Sequence, residues 1–159
     1  MKENQKIKTI VKCKGSVRKQ LFAEDGTLKY DHTDHNLVVD VGLDFIATWL
    51  TALTQSTPFM SWIGLGTDST APAPGDTDLV APLATRVQGT LTSPSSMVWQ
   101  NVASFGPGVD TGAITEAGLF STDWTFPTPA GTMFARNVFS VVNKSATDTF
   151  VLTWSVSFS

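Results

Sequence analysis

The sequence predicts a mainly β protein, an antiparallel β-sandwich or jelly-roll-like fold with one α-helix. The clearest observation is an unbroken alternation near the C-terminus, where mostly Thr and Ser oppose an apolar side made of Phe150, Leu152, Trp154, Val156 and Phe158. Period two is the spacing of a strand that buries one face. The second observation is a series of about eight or more strand-like segments at roughly ten-residue spacing, which is typical of sandwiches and jelly rolls.

The N-terminal part of the chain predicts two strands and a hairpin. The strands are 7–14 and 17–23. Residues 24–27 contain an Asp-Gly pair, whose glycine supplies the positive φ of a tight turn. Residues 28–30 are then expected to return antiparallel to 17–23, and the polar stretch 31–35 is predicted to be a loop or a strand end.

The segment 41–51 has helical periodicity instead. Its apolar residues recur at helical spacing, and they are Val41, Leu43, Phe45, Ile46, Ala47, Trp49 and Leu50. Asp40 is the predicted N-cap. Because the helix is apolar on most sides, we expect it to cover the end of a sheet layer.

Alternation predicts the remaining strands, which are separated by stretches rich in Gly, Pro, Ser and Thr. These strands are 59–66, 85–92, 97–105, 113–120, 132–141 and 148–158. A helical turn capped by Asp76 is expected over 75–79, before Pro82.

Charge divides the chain into two predicted parts. Of the 11 Lys and Arg residues, most lie in the first 40 residues. We therefore expect residues 1–35 to form basic N-terminal strands or a hairpin, in which residues 1–20 act as a docking arm. Residues 36–159 are expected to form the sandwich domain. For Lys8, Lys12 and Lys14 two interpretations stay open: they face solvent and protect an edge strand, or they dock on an acidic partner surface.

Composition favours an assembly-facing protein without a redox or membrane role. The net charge of −3 does not favour nucleic-acid binding, and no apolar run is long enough to predict a membrane span. Cys13 is the single cysteine, so no intrachain disulfide is expected and a buried structural thiol is predicted. No secretory signal is recognised at the N-terminus, so we expect synthesis in a cytoplasm.

Searches for chemistry predict no catalytic, cofactor-binding or metal-binding residues. His32 and His35 would point to opposite faces of a strand, which does not suit a shared metal ion. The glycine-rich stretch 64–70 lacks the lysine of a phosphate loop, and no serine-hydrolase motif is present.

Three carboxylates, Asp110, Glu116 and Asp123, could supply a glycosidase pair. A structural ion pair between Glu116 and Arg136 is the favoured interpretation, because the two residues lie on strands that are predicted to be neighbours.

Five tryptophans raise the question of a sugar-stacking surface. Trp154 follows the alternation of the C-terminal strand, so core packing is predicted for it. Trp124, in a loop with Phe126, is the expected exposed contact. An interface anchor and a sugar platform both remain open there.

The order and spacing of several motifs resemble small structural proteins of tailed bacteriophages, either capsid cement and decoration proteins or tail-fibre-like proteins. The motifs are Asn36-Leu37-Val38-Val39 with Gly42 and Phe45-Ile46-Ala47; Ile63-Gly64-Leu65-Gly66-Thr67 with Thr70-Ala71-Pro72 and Gly75-Asp76-Thr77-Asp78-Leu79; Ile114-Thr115-Glu116-Ala117-Gly118-Leu119-Phe120; Gly131-Thr132-Met133-Phe134-Ala135-Arg136; Val142-Asn143-Lys144; and Asp148-Thr149 before Thr153-Trp154. The resemblance covers nearly all of 36–159.

The resemblance implies a virion protein that is not an enzyme and uses no cofactor. It implies the major capsid protein or other virion proteins as partners. A homo-oligomer (dimer or trimer) is expected because both suit a β-sandwich with apolar, Thr-rich faces and the symmetry of a virion. The net charge and the lack of a long apolar run predict neither a nucleic-acid nor a membrane partner. A capsid cement protein that bridges shell subunits is the first expectation. A tail-fibre or baseplate component that contacts the host surface is the alternative.

Overall fold

The structure, a computed structural model, describes residues 11–51, 59–123 and 131–159, with side chains for all of these except 49–51. It contains nine strands and one helix in these ranges. In chain order they are β1 (Cys13–Phe22), β2 (Leu28–Val38), α1 (Asp40–Thr51), β3 (Trp62–Gly66), β4 (Pro82–Gln88), β5 (Thr90–Ser95), β6 (Val98–Phe105), β7 (Gly112–Phe120), β8 (Met133–Lys144) and β9 (Thr149–Phe158). The predicted fold class is confirmed.

The strands form one antiparallel sheet in the order β4-β3-β7-β8-β2-β1-β9-β6-β5. The two ends of this order, β4 and β5, are joined in the chain by Gly89 alone. The sheet is therefore curled into a half-barrel whose two halves face each other. A Cβ at residue 89 would overlap the side-chain oxygen of Asn101 and come within 2.8 Å of the Val102 carbonyl, which is why glycine occupies this crossing.

The core lies between the two halves of the curled sheet. On β9, Phe150, Leu152, Trp154 and Val156 are fully buried, as the alternation predicts. They pack with inward side chains of β7, β8 and β3 in one continuous cluster. The burial of large apolar side chains from both halves is the main stabilising contribution to such a fold.

The N-terminal hairpin lies in the middle of the sheet. β1 pairs with β2 on one side and along its whole length with β9 on the other. β2 runs across the predicted boundary at residue 35, so the hairpin and the rest of the described chain share one sheet. A docking arm can therefore include only residues that precede β1.

Three local expectations are corrected. The stretch 31–35, predicted as a loop or strand end, lies inside β2, because pairing with β1 overrides its low strand propensity. The predicted strand 85–92 is divided at Gly89 into β4 and β5, which belong to opposite ends of the sheet. No helical turn forms at 75–79; Gly75 lies in a turn, Asp78 in a bend, and the other three residues have no regular structure.

The helix and the turn of the first hairpin form where the sequence predicts them, but β1 runs without a break through 15–16, where two separate strands were predicted to part, and β2 continues to Val38. α1 spans Asp40–Thr51. The prediction of Asp40 as the N-cap is wrong by one residue. Val39 precedes the helix and its carbonyl accepts a hydrogen bond from the Leu43 amide, so Asp40 lies in the first turn. Gly26 has the expected positive φ of 83° in the β1–β2 turn. Within the described ranges, no helix combines the length and apolar character that crossing a bilayer requires.

Candidate functional site

An open apolar pocket of about 450 Å³ lies at one end of the half-barrel. It forms where the helix meets the ends of the strands, since α1 packs beside β8 and presents Phe45 and Ile46. Every described residue that lines it is apolar, and these are Phe45, Ile46, Phe59, Met60, Trp99, Phe134, Val156 and Phe158. Trp99 meets Phe134 edge-on, with ring centroids 6.2 Å apart. Such a pocket can receive an apolar side chain but offers little to orient a polar substrate.

Exposed apolar side chains surround the same end of the molecule. Phe59, at the rim of the pocket, is 60 % exposed. The amide of Phe158 donates to the carbonyl of Met97, whose side chain is 67 % exposed. Val11 is also exposed and precedes Lys12, which exchanges backbone hydrogen bonds with Ser159. The pocket therefore opens within a wider apolar surface, as contact surfaces often do.

The predicted interface residues are described only in part. Lys12 and Lys14 are both exposed, and they lie at the end of β1 that is nearest to Phe158. They therefore add positive charge beside the apolar end of the molecule. The other three predicted interface residues, Lys8, Trp124 and Phe126, lie outside the described residues.

The structure brings Glu116 and Arg136 together in a fully buried ion pair. Arg136 Nε and Nη2 donate to the same oxygen of Glu116 at 2.9 and 2.8 Å. The third guanidinium nitrogen, Nη1, donates to Asp76 at 2.9 Å. Both Glu116 and Arg136 have no exposed surface.

The same carboxylate also holds the long connection between β3 and β4. Its oxygens accept the backbone amides of Ala81 at 2.8 Å, Val80 at 3.3 Å and Asp68 at 3.4 Å. With Asp76 on Arg136, this buried group fixes both ends and the middle of the segment 67–81. We call Glu116, Arg136 and Asp76 the loop clasp; its hydrogen bonds are directed to the fold itself.

A second buried arginine reinforces this side of the molecule. The Arg86 guanidinium lies 3.4 Å from the ring centroid of Phe120 and donates to Asp78 at 3.2 Å. Burial lowers the pKa of Arg86, and the neighbouring Asp78 opposes that shift. A cation stacked on an aromatic ring stabilises packing without providing an acid or base at neutral pH.

A third buried cluster was not anticipated from the sequence. Lys19 on β1 has no exposed surface, and its Nζ contacts the carboxylate of Asp34 on β2 and lies 3.1 Å from Asn137 Oδ1 on β8. The ring of Phe139 lies 4.5 Å from the same nitrogen. A signal was present: in β1, period two places Lys19 on the inward face between Val17 and Leu21.

The remaining chemical candidates from the sequence are dispersed. His32 contacts Asp34, with Nε2 and Oδ1 2.8 Å apart, and His35 lies on the other face of β2. Among the described residues no group of three His, Cys, Asp or Glu side chains could hold a metal ion. Burial raises the pKa of Asp110, whose φ is 45°, and Asp123 is exposed. Cys13 is a half-buried free thiol, and burial raises its pKa.

No protein-family model, curated protein or solved structure matches the chain. The resemblance to phage structural proteins therefore stays a prediction from the motifs.

Proposed function

We propose that the chain is a non-enzymatic structural protein of a tailed-phage virion, namely a capsid cement or decoration protein that stabilises the shell by bridging capsid subunits. The observation that carries the proposal is the apolar pocket, which is surrounded by exposed apolar side chains and by Lys12 and Lys14. The buried ion pair of the same molecule binds its own loop and not a substrate. This combination favours binding to other protein subunits over turnover of a small molecule.

The physical role follows from mass action. A protein that binds the assembled shell and not its free subunits stabilises the shell in proportion to its affinity and concentration. Such a protein gains from rigidity, because a preorganised surface loses little entropy on binding. The loop clasp and the curled sheet supply that rigidity here.

The contact surface that we propose is the apolar end of the half-barrel. Phe59 at the pocket rim would contribute apolar area, and Lys12 and Lys14 would face acidic residues of a capsid subunit. Lys8, Trp124 and Phe126 remain proposed interface residues on the sequence alone, from the N-terminal positive charge and the aromatic loop. A dimer or trimer is proposed because virion sites are symmetric, and the virion is the proposed location.

The position and copy number of the chain in purified particles test the proposal. Antibody labelling in electron microscopy and quantitative gel densitometry are applied to virions of the phage that encodes it. We expect label over the shell and a copy number comparable to that of the major capsid protein. Label confined to the tail with few copies would instead support the fibre or baseplate alternative, and absence from particles would exclude both.

A matched pair of variants tests the contact surface. Phe59→Asp places a charge at the pocket rim, and we expect it to abolish binding to shells that lack the protein. Leu28→Asp places the same charge at a residue of similar chemistry, 48 % exposed beside the β1–β2 turn at the far end of β1. We expect this control to bind like the unmodified chain; equal binding by both variants would contradict the proposed surface.

A further inference from the structure

We infer that Lys19 and Asn137 become joined by a covalent amide (isopeptide) bond, which the folded protein forms by itself with Asp34 as the proton-transfer group. The inference rests on three reactive groups that the fold places in one buried cluster. Lys19 is a primary amine, Asn137 a carboxamide and Asp34 a carboxylic acid, and they come from β1, β8 and β2.

The distances fit an attack of the amine on the amide carbon. Lys19 Nζ lies 3.1 Å from Asn137 Oδ1. Because a C=O bond is about 1.2 Å long, the amide carbon lies within a small movement of that nitrogen. Holding the two groups at near-attack separation replaces an improbable collision by an intramolecular step.

The amide of Asn137 is also held in a fixed orientation. Its Nδ2 donates to the backbone carbonyl of His35 at 2.9 Å, so Oδ1 is directed at Lys19. Asn137 is only 1 % exposed. The oxygen that must become polarised therefore faces Lys19, and the nitrogen that must leave faces the His35 carbonyl.

Burial makes loss of a proton from Lys19 easier, because the side chain has no exposed surface. The centroid of the Phe139 ring lies 4.5 Å from its nitrogen, a cation–π contact that on its own favours the charged form. Burial lowers the pKa of Lys19, more than contact with Asp34 raises it. Burial is the largest single influence on the pKa of Asp34 and raises it, but the hydrogen bond and charge of Lys19 together with His32 outweigh it, so the net pKa is lowered. Transfer of one proton from Lys19 to Asp34 gives the uncharged amine that the attack requires.

The reaction is balanced without any additional reagent. Lys19 gives a proton to Asp34, and its lone pair attacks Cγ of Asn137 while Asp34 passes that proton to Oδ1. The tetrahedral carbon then loses its original nitrogen, to which Asp34 relays a proton from the attacking nitrogen, and the proton on Oδ1 returns to Asp34 as the C=O bond re-forms. The new C–N bond forms, the old one breaks, and one molecule of ammonia leaves.

Asp34 also provides a route for the departing ammonia. Its side chain is 28 % exposed, and its second oxygen contacts His32, which is 59 % exposed. The cluster is therefore closed around the reacting nitrogen and open at the carboxylate. The product would tie residues that are 118 positions apart in the chain. The bond would lie beside the short contact between β2 and β8, where in the described part of the sheet only Leu37 and Val38 of β2 pair with β8.

Mass spectrometry of the purified full chain tests the inference. We expect the denatured protein to be lighter than its sequence by one ammonia molecule. Trypsin should release a branched peptide in which 19–29 is joined to 137–144, because acylated Lys19 is no longer cleaved. The full sequence mass, without a branched peptide after long incubation of the folded chain, would overturn the inference.

Three variants identify the chemistry. Asp34→Asn keeps both reacting groups but should show the full mass of its own sequence, without loss of ammonia. Asp31→Asn makes the same change on the outward face of β2 and should still lose ammonia. Asn137→Asp should lose water instead of ammonia, so its cross-linked product should have the same mass as the cross-linked chain without substitutions. A cross-link in Asp34→Asn would refute the role of Asp34. If that variant does not fold, the branched peptide of the unmodified chain still decides whether the bond forms.

Discussion

The loop clasp and the Lys19 cluster are both buried ionic groups, but they place different atoms next to each other. In the loop clasp, the oxygens of Glu116 accept three backbone amides and two nitrogens of Arg136. In the Lys19 cluster, an amine lies against a carboxamide and a single carboxylate. The first arrangement uses its polar atoms for structure, and the second leaves a nucleophile beside an electrophile.

The choice of cation explains much of this difference. A guanidinium is charged at all accessible pH values and is a poor nucleophile, so Arg136 can only hold its partners in place. An ammonium loses its proton more readily when it is buried, and the pKa of Lys19 is lowered in that way. Burial of charge therefore stabilises a loop in one region and prepares a reaction in the other.

The largest expected effect comes from Lys19→Arg, which keeps a cation beside Asp34 but cannot form the amide bond. A cross-link that closes a loop of this length should stabilise the fold by about 4–5 kcal/mol, by analogy with a disulfide. Urea unfolding should therefore show a loss of that size relative to the unmodified chain. Asp34→Asn should lose at least as much unfolding free energy. Equal unfolding midpoints for Lys19→Arg and the chain without substitutions would show that the Lys19 cluster, like the loop clasp, forms no covalent bond.

The loop clasp gives the next largest effect. Arg136→Met leaves Glu116 and Asp76 without their buried cation, and breaking such a pair costs about 3–5 kcal/mol. Adding Glu116→Gln should recover part of this loss, since the amide oxygen can still accept the loop amides. Arg18→Met is the matched control, because Arg18 pairs with Asp31 at the surface with 51 % of its side chain exposed, and the unfolding midpoint should hardly change. A loss in the control as large as that for Arg136→Met would contradict the argument from burial.

The sequence predicts one of these clusters better than the other, for a physical reason. Glu116 and Arg136 lie on β7 and β8, consecutive strands that pair directly, so adjacency follows from the strand pattern. Lys19 and Asn137 belong to strands that do not pair, and their contact depends on how the sheet curls. Alternation identifies strands and faces, whereas strand order and curvature depend on the whole chain.

The same distinction holds for the fold. The fully buried alternate residues of β9 were predicted because period two is a local signal. The assignment of 31–35 to a loop or strand end was wrong because its polar residues gain their strand conformation from pairing with β1. Gly89 was not recognised as the crossing between the sheet edges, since the reason for a glycine there is the distant side chain of Asn101.

The smallest expected effect concerns a carboxylate at the margin of the fold and depends on pH. Lys29 Nζ and the Ser145 amide donate to Asp148 at 2.8 and 2.9 Å, and they lower the pKa of Asp148 from 3.8 to about 2. A carboxyl whose pKa is lower in the folded state stabilises the fold above its unfolded pKa, and this contribution is lost as the pH falls through the folded value. Asp148→Asn should therefore be less stable than the unmodified chain at neutral pH, and the difference should disappear between about pH 4 and about pH 2. Urea unfolding at a series of pH values measures it. Lys29→Met, which removes the larger cause, should narrow that pH window; a difference that persists unchanged at the lowest pH would show that the Asp148 charge is not its source.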